Sequence, residues 1–107
     1  MAYQKTPVQQ LQIIRQSCLN RAVALYIVNC IEAAKLEVTA EYFVGCIYGK
    51  LGLVVGAAFT EDQTQAAIVL QSSLTRAVEM AVGDKINTVE IVENMYLFAD
   101  YVYTGVK

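Results

Sequence analysis

The sequence predicts an all-α protein in which one helical hairpin occurs twice. Residues 13–23 read IIRQSCLNRAV, and fifty-five residues later residues 68–78 read IVLQSSLTRAV. Apolar residues in both segments follow a helical period, and each segment lies downstream of a helix-capping pattern. The same offset, without a gap, aligns two aromatic positions further on: Phe43 with Phe98, and Tyr48 with Tyr103. We therefore expect two tandem hairpins that pack as a pseudo-symmetric four-helix domain, related by a pseudo-two-fold axis.

The length of 107 residues fits a single domain, residues 1–107. Within it the first repeat covers about residues 6–50, an apolar linker covers 51–59, and the second repeat covers about 60–105. A repeat of about 50 residues buries only a thin core by itself. The two repeats are therefore expected to share one core, and Met1–Lys5 is expected to be a loose end.

The first repeat begins with Thr6-Pro7-Val8-Gln9, a capping box with proline at the first helical position. Helix 1 is predicted from Pro7 to about Asn29. The segment 30–38 is ambiguous, since its alanines favour helix and no glycine marks a turn. Helix 2 follows and is expected to end at Gly49 and Gly52. Its predicted apolar face consists of Tyr42, Phe43, Cys46 and Ile47.

The second repeat begins with a matching cap at residues 60–63, and helix 3 is predicted to run to about Val82. A turn is predicted at 83–85, followed by another capping box at 87–90. Helix 4 should extend from about Thr88 to Tyr103, with Gly105 as its C-cap.

The linker LGLVVGAAF is unusual because connecting segments are normally polar. Its composition predicts burial against the helices or in a subunit interface, and it is also compatible with a short strand. The hydrophobic fraction of the whole chain, 56%, exceeds the roughly 45–50% of ordinary domains. We therefore expect a homodimer or a larger assembly. The expected interface residues are Leu51, Leu53, Val54, Val55, Phe59 and Tyr101.

Composition argues against several classes of function. Histidine is absent, and no phosphate-binding glycine motif occurs, so neither a catalytic triad nor a nucleotide-hydrolysing loop is expected. Cys18, Cys30 and Cys46 lack metal-binding spacing and are expected to be buried thiols, with no disulfide framework. The sequence thus predicts a non-enzymatic protein without metal or cofactor. No apolar run is long enough to span a membrane, and no signal peptide is visible, so a cytoplasmic location is expected, the host cytoplasm if the protein is viral.

Polar residues recur in both copies of the long-helix motif, where a shared core alone does not require them. In a structural interpretation, both arginines bridge to groups of the neighbouring hairpin and both serines allow close helix approach. In a functional interpretation, two symmetry-related sets hold an anionic ligand, because arginine binds phosphate in a bidentate way. The candidate site residues are Gln16, Ser17 and Arg21 of the first copy and Gln71, Ser72 and Arg76 of the second.

Both repeats resemble a small helical module of bacteriophage proteins, with the pattern RQxxLxxAV, a spacer, then AExFxxYIxG. The first copy matches it at Arg15, Gln16, Leu19, Ala22, Val23, Ala40, Glu41, Phe43, Ile47 and Gly49. The second has Leu70 in place of the arginine and Tyr96 in place of the glutamate. The resemblance implies an accessory role in DNA replication or single-stranded DNA binding. If the module's arginine contacts nucleic acid, Arg15 is the residue that does so here.

Three hypotheses about function follow. The first is a phage-type accessory protein that binds single-stranded DNA or a DNA-processing protein. The second is a symmetric helical protein-interaction module, an adaptor or inhibitor. The third is a binder of a small anionic ligand at Arg21 and Arg76. The net charge of −2 weighs against broad phosphate binding, whereas the apolar linker favours protein interaction.

Overall fold

A computed structural model of the chain describes residues 6–105, apart from the Thr104 side chain, so the expected loose end Met1–Lys5 lies outside the described residues. Within them the chain is helical and contains no strand, which confirms the predicted all-α, four-helix fold. The helices are α1 (Pro7–Ile27), α2 (Leu36–Lys50), α3 (Glu61–Val82) and α4 (Ile91–Thr104).

The duplication extends to the turn inside each hairpin. Asn29 and Asp84 occupy equivalent positions, and both adopt a left-handed backbone with φ of 64° and 61°. Short polar side chains tolerate this conformation better than most residues. A single turn of 3₁₀-helix then precedes each second helix, at Ala33–Lys35 and at Thr88–Glu90. The ambiguous segment 30–38 is therefore a turn followed by the start of α2, as in the second repeat.

The predicted caps of both long helices are present. The Thr6 hydroxyl accepts a hydrogen bond from the Gln9 backbone, and the Gln9 side chain accepts one from the Thr6 backbone. Thr60 and Gln63 make the same pair of bonds. Gly105 closes α4 in a left-handed conformation with φ of 70°. These caps satisfy backbone groups that a helix end otherwise leaves unpaired.

The core lies where α3 packs against the other three helices. Each hairpin also packs internally, α1 with α2 and α3 with α4. Among residues 6–105, no helix is long and apolar enough to cross a membrane. Tyr42, predicted on the apolar face of α2, is 59% exposed, because that face is centred further round the helix. The residues that define it are Ala40, Phe43, Val44, Ile47 and Tyr48.

The linker packs mainly on its own chain rather than forming a strand. The Phe59 ring lies against Tyr48, with ring centroids 5.2 Å apart. Gly56, at φ of 93°, lies next to Leu11 of α1, and a Cβ there would be in ordinary contact with the Leu11 side chain at 3.9 Å. Leu51 and Leu53 are partly buried against the core. Of the expected interface residues, Val54, Val55 and Tyr101 remain exposed.

Equivalent residues of the two repeats are not equally buried. Leu74 of α3 is 0% exposed, whereas its counterpart Leu19 on α1 is 41% exposed. A strict two-fold axis would bury both alike. The two hairpins therefore meet through different faces of the repeated unit.

This difference predicts unequal costs for the same truncation. Leu74→Ala should lower the free energy of unfolding by about 2–5 kcal/mol, because it opens a cavity in the core. Leu19→Ala should cost about 1 kcal/mol or less, because solvent already reaches that side chain. Urea denaturation of both variants at low protein concentration measures the two values. Equal losses would contradict the asymmetric packing.

Candidate functional site

An apolar groove lies between the N-terminal halves of α1 and α3. Its volume is about 110 Å³, and apolar atoms form almost all of its wall. Ile13 and Ile68, equivalent residues of the duplicated motif, lie on opposite sides of it. We call it the interhelical groove. It is lined by Gln10, Ile13, Ile14, Phe59, Thr64, Ala67, Ile68 and Gln71.

Two glutamines add polar groups to the interhelical groove. The Gln71 amide nitrogen donates to the Ala67 carbonyl at 3.1 Å, so its orientation is fixed by its own helix. The Oε1 atom of Gln10 is enclosed and has no hydrogen-bond partner within the described part of the chain. A buried acceptor without a partner costs free energy. The walls of the groove are therefore suited to an apolar group.

The predicted Gln-Ser-Arg residues are not gathered into one cleft. Of these six residues, only Gln71 lines the groove. Gln16, Ser72 and Arg76 are exposed, and Ser17 and Arg21 are half-buried. Arg76 forms an ion pair with Glu79 of its own helix at 3.1 Å, and no ion pair or hydrogen bond joins Arg21 to another residue in the range 6–105. Neither predicted arrangement, a bridge to the neighbouring hairpin or a shared anion cleft, is present for both arginines.

Arg15, the arginine of the phage-like pattern, is paired within its hairpin. Its Nε donates to Glu41 Oε1 at 2.6 Å, which joins α1 to α2. This hydrogen bond raises the pKa of the arginine further, opposed by partial desolvation. The pair is exposed, so water and salt screen it. The Arg15 guanidinium is therefore already paired with a carboxylate.

The second repeat has Leu70 and Tyr96 in place of this ion pair, and Tyr96 bonds to the first hairpin. Leu70 is buried, and the Tyr96 hydroxyl donates to the Cys46 carbonyl on α2 at 3.1 Å. Burial, together with the neighbouring Cys46, raises the pKa of Tyr96 to about 12. The Lys50 ammonium lies 5.0 Å from the centre of the Tyr96 ring and 3.8 Å from an Asp100 carboxylate oxygen. From the sequence, Leu70 and Tyr96 were interpreted only as departures from the phage-like pattern, and their role in packing was missed.

The cysteines differ in environment, and the expectation that all three are buried is wrong. Cys18 is fully buried and Cys46 is half-buried, but Cys30 lies exposed after the end of α1. Burial raises the pKa of the Cys18 thiol to about 12, with a smaller contribution from the charge of Glu41. All three thiols are free. Within residues 6–105 no cluster of three or more metal-ligating side chains occurs.

Tyr48 presents a buried hydroxyl below the linker. Its side chain is fully buried, and no hydrogen-bond partner for the hydroxyl lies among the described residues. Burial raises the pKa of Tyr48, while a backbone group of Gly56 and the charge of Arg15 act in the opposite direction. The packing with Phe59 accounts for its position, so Tyr48 is a structural residue of the first hairpin.

Comparisons of the chain with protein-family models, with curated proteins and with solved structures found no match.

Sequence reasoning missed the interhelical groove, although one signal for it was present. Ile13 and Ile68 recur at the edge of the apolar arc. The site was predicted at the polar residues next to them, and not at these isoleucines. The other groove residues, such as Thr64 and Ala67, come together only through the crossing of α1 and α3. That crossing cannot be read from periodicity within one helix.

The buried thiol predicts a loss of stability at alkaline pH. The unfolded thiol ionises near a pKa of about 8.5, whereas the folded one ionises at about 12. The folded state therefore retains a proton that the unfolded state releases, so its stabilisation is present below about pH 8.5 and is lost as pH rises toward 12. Tyr96 adds the same trend above about pH 10.

Urea midpoints measured from about pH 8 to pH 11 should consequently fall. Cys18→Ala should flatten the part of the decline between about pH 8.5 and 10, because it removes the buried thiol. Cys30→Ala is the matched control, since its thiol is exposed, and should leave the decline unchanged. A pH-independent midpoint, or equal flattening by both variants, would contradict the assignment.

Proposed function

We propose that this protein is a non-enzymatic protein-interaction module whose interhelical groove receives an aliphatic side chain of a helical or extended partner segment. The observation that carries the proposal is the groove itself, about 110 Å³ with almost entirely apolar walls. A cavity of about 150 Å³ lined by such residues holds benzene. The smaller groove matches a leucine or isoleucine side chain in size.

The charge distribution supports a protein partner over direct contact with nucleic acid. The chain has only eight Lys and Arg residues against ten Asp and Glu. Three of the basic side chains, Arg15, Lys50 and Arg76, already pair with carboxylates. Nucleic-acid binding requires clustered cations that are free to replace condensed counterions. The resemblance to the phage module makes a DNA-processing protein the partner class to test first.

The groove is tested by titration with N-acetyl-leucine-N-methylamide, a small probe with one aliphatic side chain and flanking N–H groups. Methyl resonances of Ile13, Ile14 and Ile68 should shift in a saturable manner. Ile13→Gln should abolish the shifts of Ile14 and Ile68, because it makes one groove wall polar. The matched control is Leu19→Gln, which is the same kind of substitution on the same helix. The two side chains are similarly exposed, Leu19 at 41% and Ile13 at 43%. It should leave the titration unchanged.

A second titration uses a fluorescein-labelled thymidine 30-mer at about 0.15 M salt, where phosphate-driven binding remains measurable. We expect no change in anisotropy. Groove shifts that survive Ile13→Gln would overturn the groove assignment. Tight oligonucleotide binding lost on Arg21→Ala would overturn the choice of a protein partner and favour the single-stranded DNA role.

A further inference from the structure

One wall of the interhelical groove comes from the linker and not from the duplicated helices. Phe59 lines the groove together with residues of α1 and α3, and its side chain is the largest in the lining. Ile13 and Ile68 are 43% and 54% exposed, so they border the open side of the groove. Phe59 is half-buried and packs against the core. Removing its ring would therefore add the space of that ring to the groove.

The backbone of Phe59 is held by the start of α3. Phe59 directly precedes Thr60, the N-cap of α3, whose hydroxyl accepts a hydrogen bond from the Gln63 backbone at 3.1 Å. The Gln63 side chain in turn accepts one from the Thr60 backbone at 2.9 Å. A hydrophobic residue just before an N-cap often packs against the fourth residue of the helix and fixes the entry of the chain. That fourth residue is Thr64, which lines the same groove.

The ring of Phe59 is supported by the first hairpin. Its centroid lies 5.2 Å from that of the Tyr48 ring, and the two rings are tilted by 46°. Tyr48 is fully buried on α2 and does not line the groove, so it supports the ring from outside the groove. Tilted aromatic pairs at this distance add to the stabilisation that burial provides. Displacing Phe59 would break this contact and disturb the cap of α3, so a ligand in the groove meets a fixed wall.

The volume of the groove distinguishes aliphatic from aromatic groups. An apolar cavity of about 150 Å³ holds one benzene molecule. The groove measures about 110 Å³, so it is too small for a phenyl ring while Phe59 is in place. Without the Phe59 ring, the same lining would offer additional space of the size of one phenyl ring. The two volumes therefore lie on opposite sides of the limit for an aromatic ligand.

We infer that Phe59 is the specificity-determining residue of the interhelical groove, which it restricts to side chains of leucine or isoleucine size. The inference rests on the proposed function, because a size limit matters to the protein only if a partner side chain enters the groove. It names the partner segment by its chemistry, with an aliphatic and not an aromatic anchor. The selectivity is then a property of the linker, whereas the duplicated helices supply the rest of the lining.

The size limit is tested by changing the wall and the ligand together. The variant is Phe59→Ala, and the ligands are benzene and the N-methylamides of N-acetyl-leucine and N-acetyl-phenylalanine. Methyl resonances of Ile13 and Ile68 report binding at the groove. The wild-type protein should respond to the leucine probe only. Phe59→Ala should bind both aromatic ligands at least about tenfold more tightly than the wild type does, because a single methylene in an apolar pocket already changes affinity by about that factor.

Two further variants keep the test independent of folding. Phe59→Leu keeps an aliphatic side chain against Tyr48 and should bind the aromatic ligands with intermediate affinity. The matched control is Phe98→Ala, the same truncation at another ring that is partly buried against the core but does not line the groove. It should leave the wild-type response at the groove unchanged for every ligand. Urea denaturation of each variant establishes that it is folded at the temperature of the titration.

The results separate the size limit from the proposed function. Benzene binding by Phe59→Ala, without any response of the wild type to the leucine probe, would support the size limit and refute aliphatic docking. A wild type that binds the leucine and phenylalanine probes equally well would overturn the size limit and leave the docking site intact. The size limit would also be overturned if the folded Phe59 variants gained no affinity for the aromatic ligands, or if Phe98→Ala gained as much as Phe59→Ala.

Discussion

The burial of α3 against three other helices is the interaction on which the rest of this structure depends. A hairpin of about 50 residues covers one side of its long helix with its short helix and leaves the flanking apolar residues in water. Leu70, Leu74 and Val78 form a buried stripe on α3, which contacts α4 and both helices of the first hairpin. The apolar linker packs onto Tyr48 and Leu11 of the first hairpin, and its Phe59 also lines the groove between α1 and α3.

The two repeats differ in sequence where α3 and α4 must pack against the first hairpin. Arg15 and Glu41 form an exposed ion pair on the outer side of the first hairpin, where water solvates both charges. At the equivalent positions the second hairpin faces the first, and charges buried there would lose their hydration. Leu70 and Tyr96 avoid this loss of hydration. Leu70 is aliphatic, and the one hydroxyl of Tyr96 is hydrogen-bonded. The substitutions that weaken the likeness to the phage pattern are therefore those that allow two copies to share a core.

Much of the local structure could be predicted from the sequence because it depends on short-range chemistry. The capping boxes at Thr6 and Thr60, the turn at Asp84 and the left-handed Gly105 each follow from a few adjacent residues. Helix 1 ends two residues before the predicted Asn29, because that residue takes the left-handed turn conformation. The prediction that Tyr42 and Cys30 are buried was wrong, since an apolar residue on a helix or turn is buried only if another element reaches it.

The sequence could not predict which helix faces the two hairpins use to pack against each other. Those faces determine the surroundings of the candidate site residues. Duplication suggested a pseudo-two-fold axis, which would have placed Arg21 and Arg76 alike. In the observed packing, Arg21 is half-buried without a bonded partner among the described residues, whereas Arg76 is exposed and paired with Glu79. The repeated polar motif therefore presents different surroundings in its two copies, while Ile13 and Ile68 still converge on one groove.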